Sequence, residues 1–178
     1  MYKYKYITKE NFSNIIMSSD GEYLTGLWFE NSRDSKKHID DFEEKNLKIF
    51  DETSRWLDIY FSGKILDFKP KYKIENMTPF KKEVIDLIST INYGEVVTYN
   101  DIAKTIARKR NIKKMSAQAV GVAVGWNPIC IIIPCHRVVG KDGNLTGYGG
   151  GIKNKIELLK LENNDMNNFF VPKKGNAL

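Results

Sequence analysis

Cysteine and histidine are scarce in this 178-residue chain, with two of each: Cys130 and Cys135, His38 and His136. Two cysteines cannot build a disulfide scaffold. With these two histidines they match no recognised zinc spacing either, so a reducing compartment and no metal or other cofactor are expected. Long apolar runs are also missing, and none approaches the roughly 18 residues that span a bilayer. The opening Met1-Tyr-Lys-Tyr-Lys-Tyr alternates aromatic and cationic residues and lacks a signal-peptide core. A cytoplasmic protein with no membrane partner is the expectation. Acidic residues are absent from one stretch: Lys104, Arg108, Lys109, Arg110, Lys113 and Lys114 fall within 104–114 without an Asp or Glu.

What is present argues for a packed protein. Hydrophobic residues make up 42% and aromatics 12%, ample for a core and against global disorder. A net charge of +6 and a pI near 9.1 favour a polyanionic partner. The basic run 104–114 is either a solvated turn or part of a surface for such a partner. The length allows one large domain or two small ones.

The pattern along the chain favours two. Residues 1–30 alternate in β fashion, with Ser19-Asp20-Gly21-Glu22 as a hairpin turn. Asn31 to Lys37 reads as a loop. From about Phe50 to Phe61 the apolar spacing is helical, and Gly63 follows as a C-terminal cap. Lys69-Pro70-Lys71-Tyr72-Lys73 is a charged, proline-marked crossing. Thr78-Pro79 then starts a helix as N-cap and first helical residue, with Val84, Ile85, Leu87, Ile88 and Ile91 on its apolar face. After a short extended Glu95-Val96-Val97, Thr98 caps a second helix, Tyr99 to Ala107, with Asp101 in capping-box position. Ser116 caps a third helix running to about Trp126. Two short helices joined by a turn after a longer helix form a helix-turn-helix pattern. The expected boundaries are 1–73 and 74–163, with a peripheral tail at 164–178.

The third helix is thin: Ala117, Ala119, Gly121, Ala123 and Gly125 alternate through it. Interior glycine costs about 1 kcal/mol relative to alanine, so the small residues need a compensation. It is either close packing inside the protein or close approach by another surface.

The segment Ile131-Ile-Ile-Pro-Cys-His-Arg-Val-Val139 joins a cysteine to a histidine and an arginine between apolar runs. A thiolate is the strongest nucleophile among the side chains, but a cysteine on a buried strand is also ordinary core. Adjacency in sequence does not decide between them, because neighbours on a strand face opposite ways.

Five ordered segments do discriminate: Gly94-Glu-Val-Val-Thr-Tyr99, Gln118-Ala-Val-Gly121, Asn127-Pro128, Ile133-Pro-Cys-His-Arg-Val-Val139 and Gly147-Tyr-Gly-Gly-Gly151. Together they resemble the O6-alkylguanine-DNA alkyltransferases, the methylated-DNA–protein-cysteine methyltransferases, over roughly Thr78 to Glu162. Residues before that resemble the family only in outline. The resemblance implies an α+β fold, with a small N-terminal α/β (ribonuclease-H-like) domain and a mainly helical, winged-helix-like domain carrying the helix-turn-helix. It also implies a monomer that acts on double-stranded DNA with alkylated bases. An alkyl group would pass once and irreversibly from O6 of guanine, or O4 of thymine, to Cys135.

Carried over residue by residue, the resemblance makes a water link Cys135 to His136, and His136 link to Glu162 on the helix Ile152 to Leu161. Tyr99 would help displace the target nucleotide and donate a proton toward the purine. Asn127 would brace the turn, and Tyr148, Gly149 and Gly150 would line the base pocket. Ser116, Ala117, Gln118, Ala119 and Gly121 of the thin helix would enter the minor groove beside a flipped base. Lys113, Lys114 and Arg137 would contact DNA, although a structural role fits Arg137 equally. Many relatives have an arginine where this chain has Gln118, and a residue with a side chain where it has Gly149. Other readings are a non-catalytic lesion binder, a transcriptional regulator and a cysteine hydrolase.

Overall fold

The structure, a computed structural model, describes residues 1–33, 35 and 41–172. Strands β1 (Tyr2–Tyr6), β2 (Ile15–Ser19), β3 (Leu24–Phe29) and β4 (Glu43–Glu44) form one sheet in the order β3-β2-β1-β4. β2 pairs antiparallel with both β1 and β3, and β4 lies parallel to β1. The hairpin turn closes through Asp20, whose carboxylate accepts from the backbone N–H groups of Glu22 and Tyr23. The loop expected at 31–37 lies only partly within the described residues.

Helix α1 spans Lys48–Phe61, two residues earlier than its periodicity indicated, and Leu47 precedes it without a side-chain cap. It ends at Ser62, and Gly63 follows at φ +79° with its N–H on the Tyr60 carbonyl, as a glycine cap does. Its buried face carries Ile49, Phe50, Thr53, Trp56, Leu57, Tyr60 and Phe61.

Helix α2 (Pro79–Ile88) begins at Thr78, whose hydroxyl accepts from Lys81 N. It stops three residues short of Ile91, which is buried in the turn that follows rather than on the helix. Strand β5 (Val97–Thr98) leads straight into α3 (Tyr99–Lys109), where Thr98 and Asp101 make the reciprocal capping box. α3 runs two residues beyond Ala107 into the basic stretch. There Arg110 pairs with Glu83 of α2 at 2.7 Å, which takes that cation out of the free positive surface. Helix α4 (Ala117–Gly125) is capped by Ser116 and packs on α2 and α3, completing the helix-turn-helix.

Cys135–Arg137 form one turn of 3-10 helix. They pass into β6 (Val138–Val139), parallel to β5, and α5 (Ile152–Leu161) follows. The apolar run before Cys135 is a tight coil and not the buried strand on which an ordinary core cysteine would sit. Ile131 has φ +70°, and the chain doubles back through bonds from Ile132 N to Cys130 O and from Ile133 N to Ile129 O. A left-handed β-branched residue is costly, and it marks where the chain coils tightly before Cys135. The tail is also less peripheral than its composition indicated. Met166 and Phe169 pack with Val139, Leu145 and Leu159, while Phe170 exchanges backbone bonds with Gly143 and Leu145.

One hydrophobic cluster unites β2, β3 and α1 with α2–α4 and the Ile129–Ile133 coil. Leu27 of β3 exchanges backbone bonds with Pro128 and Cys130, so the sheet buttresses the coil that leads to Pro134 and Cys135.

Candidate active site

Asn127, placed by the end of α4 and 3% exposed, holds the coil that presents Cys135. Its side-chain amide donates to Ile133 O at 2.9 Å, to Cys135 Sγ at 3.1 Å and more distantly to Ile129 O at 3.4 Å. Its Oδ1 accepts from Ile129 N at 3.0 Å. Only a side chain with both donor and acceptor ends can stitch all four.

His136 is fully buried one residue on. Its Nε2 lies 2.8 Å from Glu162 Oε1. Because the carboxylate only accepts, Nε2 carries the proton and Nδ1 keeps the lone pair of the neutral ring. Nδ1 has no protein partner. Burial lowers the His136 pKa, and the opposing attraction of Glu162 does not cancel it. The ring is therefore a neutral acceptor at Nδ1.

Glu162 stands one residue past α5, at its C-cap, rather than within the helix. Its carboxylate is the hub of the site. Oε1 accepts from His136 Nε2, Tyr60 OH and Arg137 Nη2 at 2.8, 2.6 and 2.8 Å; Oε2 accepts from Arg137 Nε at 2.8 Å and Gly94 N at 3.2 Å. Burial opposes its charge, but the His136 and Arg137 interactions outweigh burial and hold the carboxyl well below the usual range. Tyr60 OH also lies 3.5 Å from His136 Nε2. Both groups are already donors to Glu162, so that approach adds no bond.

Of the two roles the sequence leaves open for Arg137, its contacts are those of a buried strut. Two nitrogens clamp Glu162 and the third donates to Ile91 O at 2.7 Å, leaving the guanidinium turned inward.

Cys135 lies in a narrow recess of about 10 Å³ with Val124, Gly125, Asn127, Cys130, Gly147, Tyr148 and Gly149. Tyr148 is 3% exposed, and its hydroxyl is buried beside the recess. Burial, then the nearby cysteines, push that phenol well above its ordinary value. Gly149 lines the recess as expected, but Gly150 does not. A Cβ on Gly150 would fall 2.6 Å from the Tyr148 ring and 2.8 Å from Phe29, so this glycine exists to seat those rings.

Beside the recess opens a groove of about 840 Å³ whose lining includes Tyr99, Ala117, Gln118, Gly121, Gly125, Thr146 and Gly147. Its charged lining residues are Arg33, Lys81 and Lys141, all cations. A Cβ on Gly121 would be 3.8 Å from Tyr99, and one on Gly125 3.9 Å from Arg33. Those are ordinary contacts, so internal packing does not require either glycine. The thin face of α4 is instead the floor of the groove, with Gln118 exposed on it. Burial, helped by Cys135, pushes the Tyr99 phenol up to about 12, which keeps it a neutral donor. Ala119 does not line this groove, Ser116 is exposed at the helix start, and Lys113 and Lys114 are exposed in the preceding turn.

Two residues at the site escaped the sequence reading. Tyr60 looked like one more apolar contact of α1. Lys155 of α5 is fully buried, donates to Val138 O at 2.7 Å and sits over the Tyr148 ring at 5.8 Å. Burial drives its pKa down to about 8, while Cys135 pulls it upward. Its spacing with Ile152, Leu158 and Leu159 put it on the apolar stripe of the helix, which was the available signal. His38 lies outside the described residues, and no group of three or more His, Cys, Asp or Glu that could hold a metal occurs among the described ones.

The profile of the 6-O-methylguanine DNA methyltransferase DNA-binding domain matches residues 79–164. Methylated-DNA–protein-cysteine methyltransferases from Methanosarcina barkeri and Methanosarcina acetivorans are 48% and 42% identical. Those matches cover 68% and 83% of this chain and 73% and 90% of the relatives. The chain belongs to the methylated-DNA–protein-cysteine methyltransferase family. Within that family, the crystal structure of Mycobacterium tuberculosis OGT in complex with DNA superposes with a TM-score of 0.74 at 32% identity, covering 91% of this chain and 92% of that one. Membership fits the α+β fold, and no helix among the described residues is long and apolar enough to cross a membrane.

Proposed function

We propose that this protein repairs DNA by moving an alkyl group from O6 of guanine, or O4 of thymine, onto its own Cys135, once and irreversibly. The observation that carries this reading is the placement of Cys135. Its sulfur is held by Asn127 at 3.1 Å in a recess that shares Gly125 and Gly147 with the cation-lined groove.

In the reaction a bond forms between Sγ and the alkyl carbon as the C–O6 bond breaks, and the electron pair leaves on the purine oxygen. The thiol proton passes toward His136 Nδ1, through a bridging water as the family resemblance implies. Glu162 stabilises the imidazolium as the third member of a triad does. Tyr99 passes a proton to the departing base from the groove side and is reprotonated as the His136 imidazolium gives up the thiol proton through solvent, so that the net transfer is from thiol to base. The Lys155 ammonium and the sulfur of Cys135 influence each other, so the cation favours the thiolate.

Duplex DNA with an alkylated base is the proposed partner, with the base flipped out at a cost of a few kcal/mol. Ala117, Gln118 and Gly121 on the groove floor, with Ser116 at the helix start, would face the minor groove, and Lys113 and Lys114 the phosphates. Residues 1–73 and 74–163 act as two domains of a cytoplasmic monomer in this reading. A lesion binder without chemistry is disfavoured, because nothing in such a role calls for the Cys135–His136–Glu162 arrangement.

Intact-mass measurement after incubation with an O6-methylguanine duplex tests the proposal. One added methyl group on Cys135, absent from Cys135→Ala, is expected. No adduct at any excess of DNA overturns it.

A further inference from the structure

Among the donors to Glu162, Tyr60 alone comes from α1, 102 residues away in sequence. At 2.6 Å its bond is the shortest the carboxylate receives. The side chain has no freedom to leave. Tyr60 is 2% exposed, stacked on Trp56 with ring centres 5.3 Å apart, and met edge-on by Phe61 and Tyr93 at 5.5 and 6.2 Å. The hydroxyl shares Oε1 with His136 Nε2, the atom pair through which the imidazole is held.

An oxygen that accepts from several donors is a weaker base toward each of them. Tyr60 therefore competes directly with His136 for the charge on Oε1. We propose that Tyr60 is a positioning residue that limits how strongly Glu162 draws a proton onto His136, so that the N-terminal half of the chain tunes the relay and does more than support it. This rests on the alkyl-transfer reading above. Filling space alone does not account for the hydroxyl, because a phenyl ring would satisfy the same aromatic neighbours and leave Oε1 to His136 and Arg137.

The groups that act on His136 are few. Glu162 favours its protonated form, while Arg137 and Lys155 oppose it. Cys135 precedes it in the chain, and Tyr60 acts through Oε1. Burial, then Glu162, keeps the Tyr60 phenol far above its ordinary value, so it stays a neutral donor.

The test is the imidazole titration of His136 followed by NMR in the full chain, with the rate of methyl transfer measured over the same pH range. In Tyr60→Phe, the His136 protonation equilibrium is expected to move about tenfold toward imidazolium, the effect of one hydrogen bond to a charged group. The acid limb of the transfer rate should move with it. A folded Tyr60→Phe with unchanged titration and unchanged limb overturns the proposal. If that variant does not fold, 3-fluorotyrosine at position 60 keeps the ring and strengthens the donor. His136 should then shift the opposite way, and no shift overturns the proposal. If the unmodified protein accepts no methyl at all, the alkyl-transfer reading fails by itself, and the His136 titration still decides what Tyr60 does to the imidazole.

Discussion

Asn127 Nδ2 lies 3.1 Å from Cys135 Sγ and 2.9 Å from the Ile133 carbonyl, so one amide fixes both the nucleophile and the turn that presents it. A sulfur that receives an N–H is easier to ionise than one packed against carbon. The same amide also closes the coil around a left-handed isoleucine. The site's chemistry and its local fold thus share one side chain.

Removing that side chain should show in both. Asn127→Ala takes one donor from the sulfur and from the Ile129 and Ile133 carbonyls, which keep their backbone donors, and leaves the buried Ile129 N–H without its acceptor. It is expected to cost about 3 kcal/mol in urea unfolding, the range for buried groups left unsatisfied. Methyl transfer at neutral pH should slow by about tenfold or more. A variant as stable and as fast as the unmodified protein would contradict the role given to Asn127.

Glu162→Gln removes the charge that Arg137 clamps. A buried guanidinium without its partner costs about 3–5 kcal/mol, and the unfolding midpoint at pH 7 should fall accordingly. The folded carboxyl titrates below its unfolded value. Its stabilisation is therefore complete above about pH 4.5 and is lost as pH falls. The stability gap between the two proteins should narrow by about 1 kcal/mol between pH 6 and pH 3.5. A constant gap would show that the ionised carboxylate is not what Arg137 needs.

Lys155 behaves in the opposite sense. Its folded pKa, about 8, lies below the unfolded value of 10.5. The unfolded chain therefore binds more protons between those limits, and the ionised lysine destabilises the fold at neutral pH. Relative to Lys155→Met, the unmodified protein should gain about 2 kcal/mol from pH 7 to pH 10. Denaturant titrations of both proteins at the two pH values measure this, and parallel curves would contradict it. The same variant should transfer methyl more slowly, because its sulfur has lost the neighbouring cation.

Gln118 is exposed on the groove floor of α4. Glutamine can fill space and hydrogen-bond an orphaned base but has neither charge nor a stacking plane. Gln118→Arg should tighten duplex binding and steepen its salt dependence. Unchanged or weaker affinity in a salt-matched titration would rule this out.

Lys113 and Lys114 are exposed in the turn before α4. Changing both to glutamine should flatten the slope of log affinity against log salt by about 1.8 if each contacts a phosphate. An unchanged slope would place the phosphate contacts elsewhere on the groove rim.

The features legible in the sequence were those decided within a few residues. Thr78, Thr98 and Ser116 cap their helices because a hydroxyl three positions ahead of a backbone N–H finds it in any context. The Pro-Cys-His-Arg run and its companion segments marked the site and the family for the same reason: each is contiguous, and their order is visible in the chain. The tertiary structure decided what depends on convergence. It turned Arg137 inward onto Glu162, made Gly150 a seat for Tyr148 and Phe29, and buried Lys155 against the Val138 carbonyl and the Tyr148 ring. It also brought Tyr60 onto the same oxygen as His136 from 102 residues away. No periodicity encodes such a meeting, since α1 would show the same apolar stripe with phenylalanine at that position. Burial at the end of α1 put the hydroxyl against the Glu162 carboxylate, and that placement exists only once the two halves have packed.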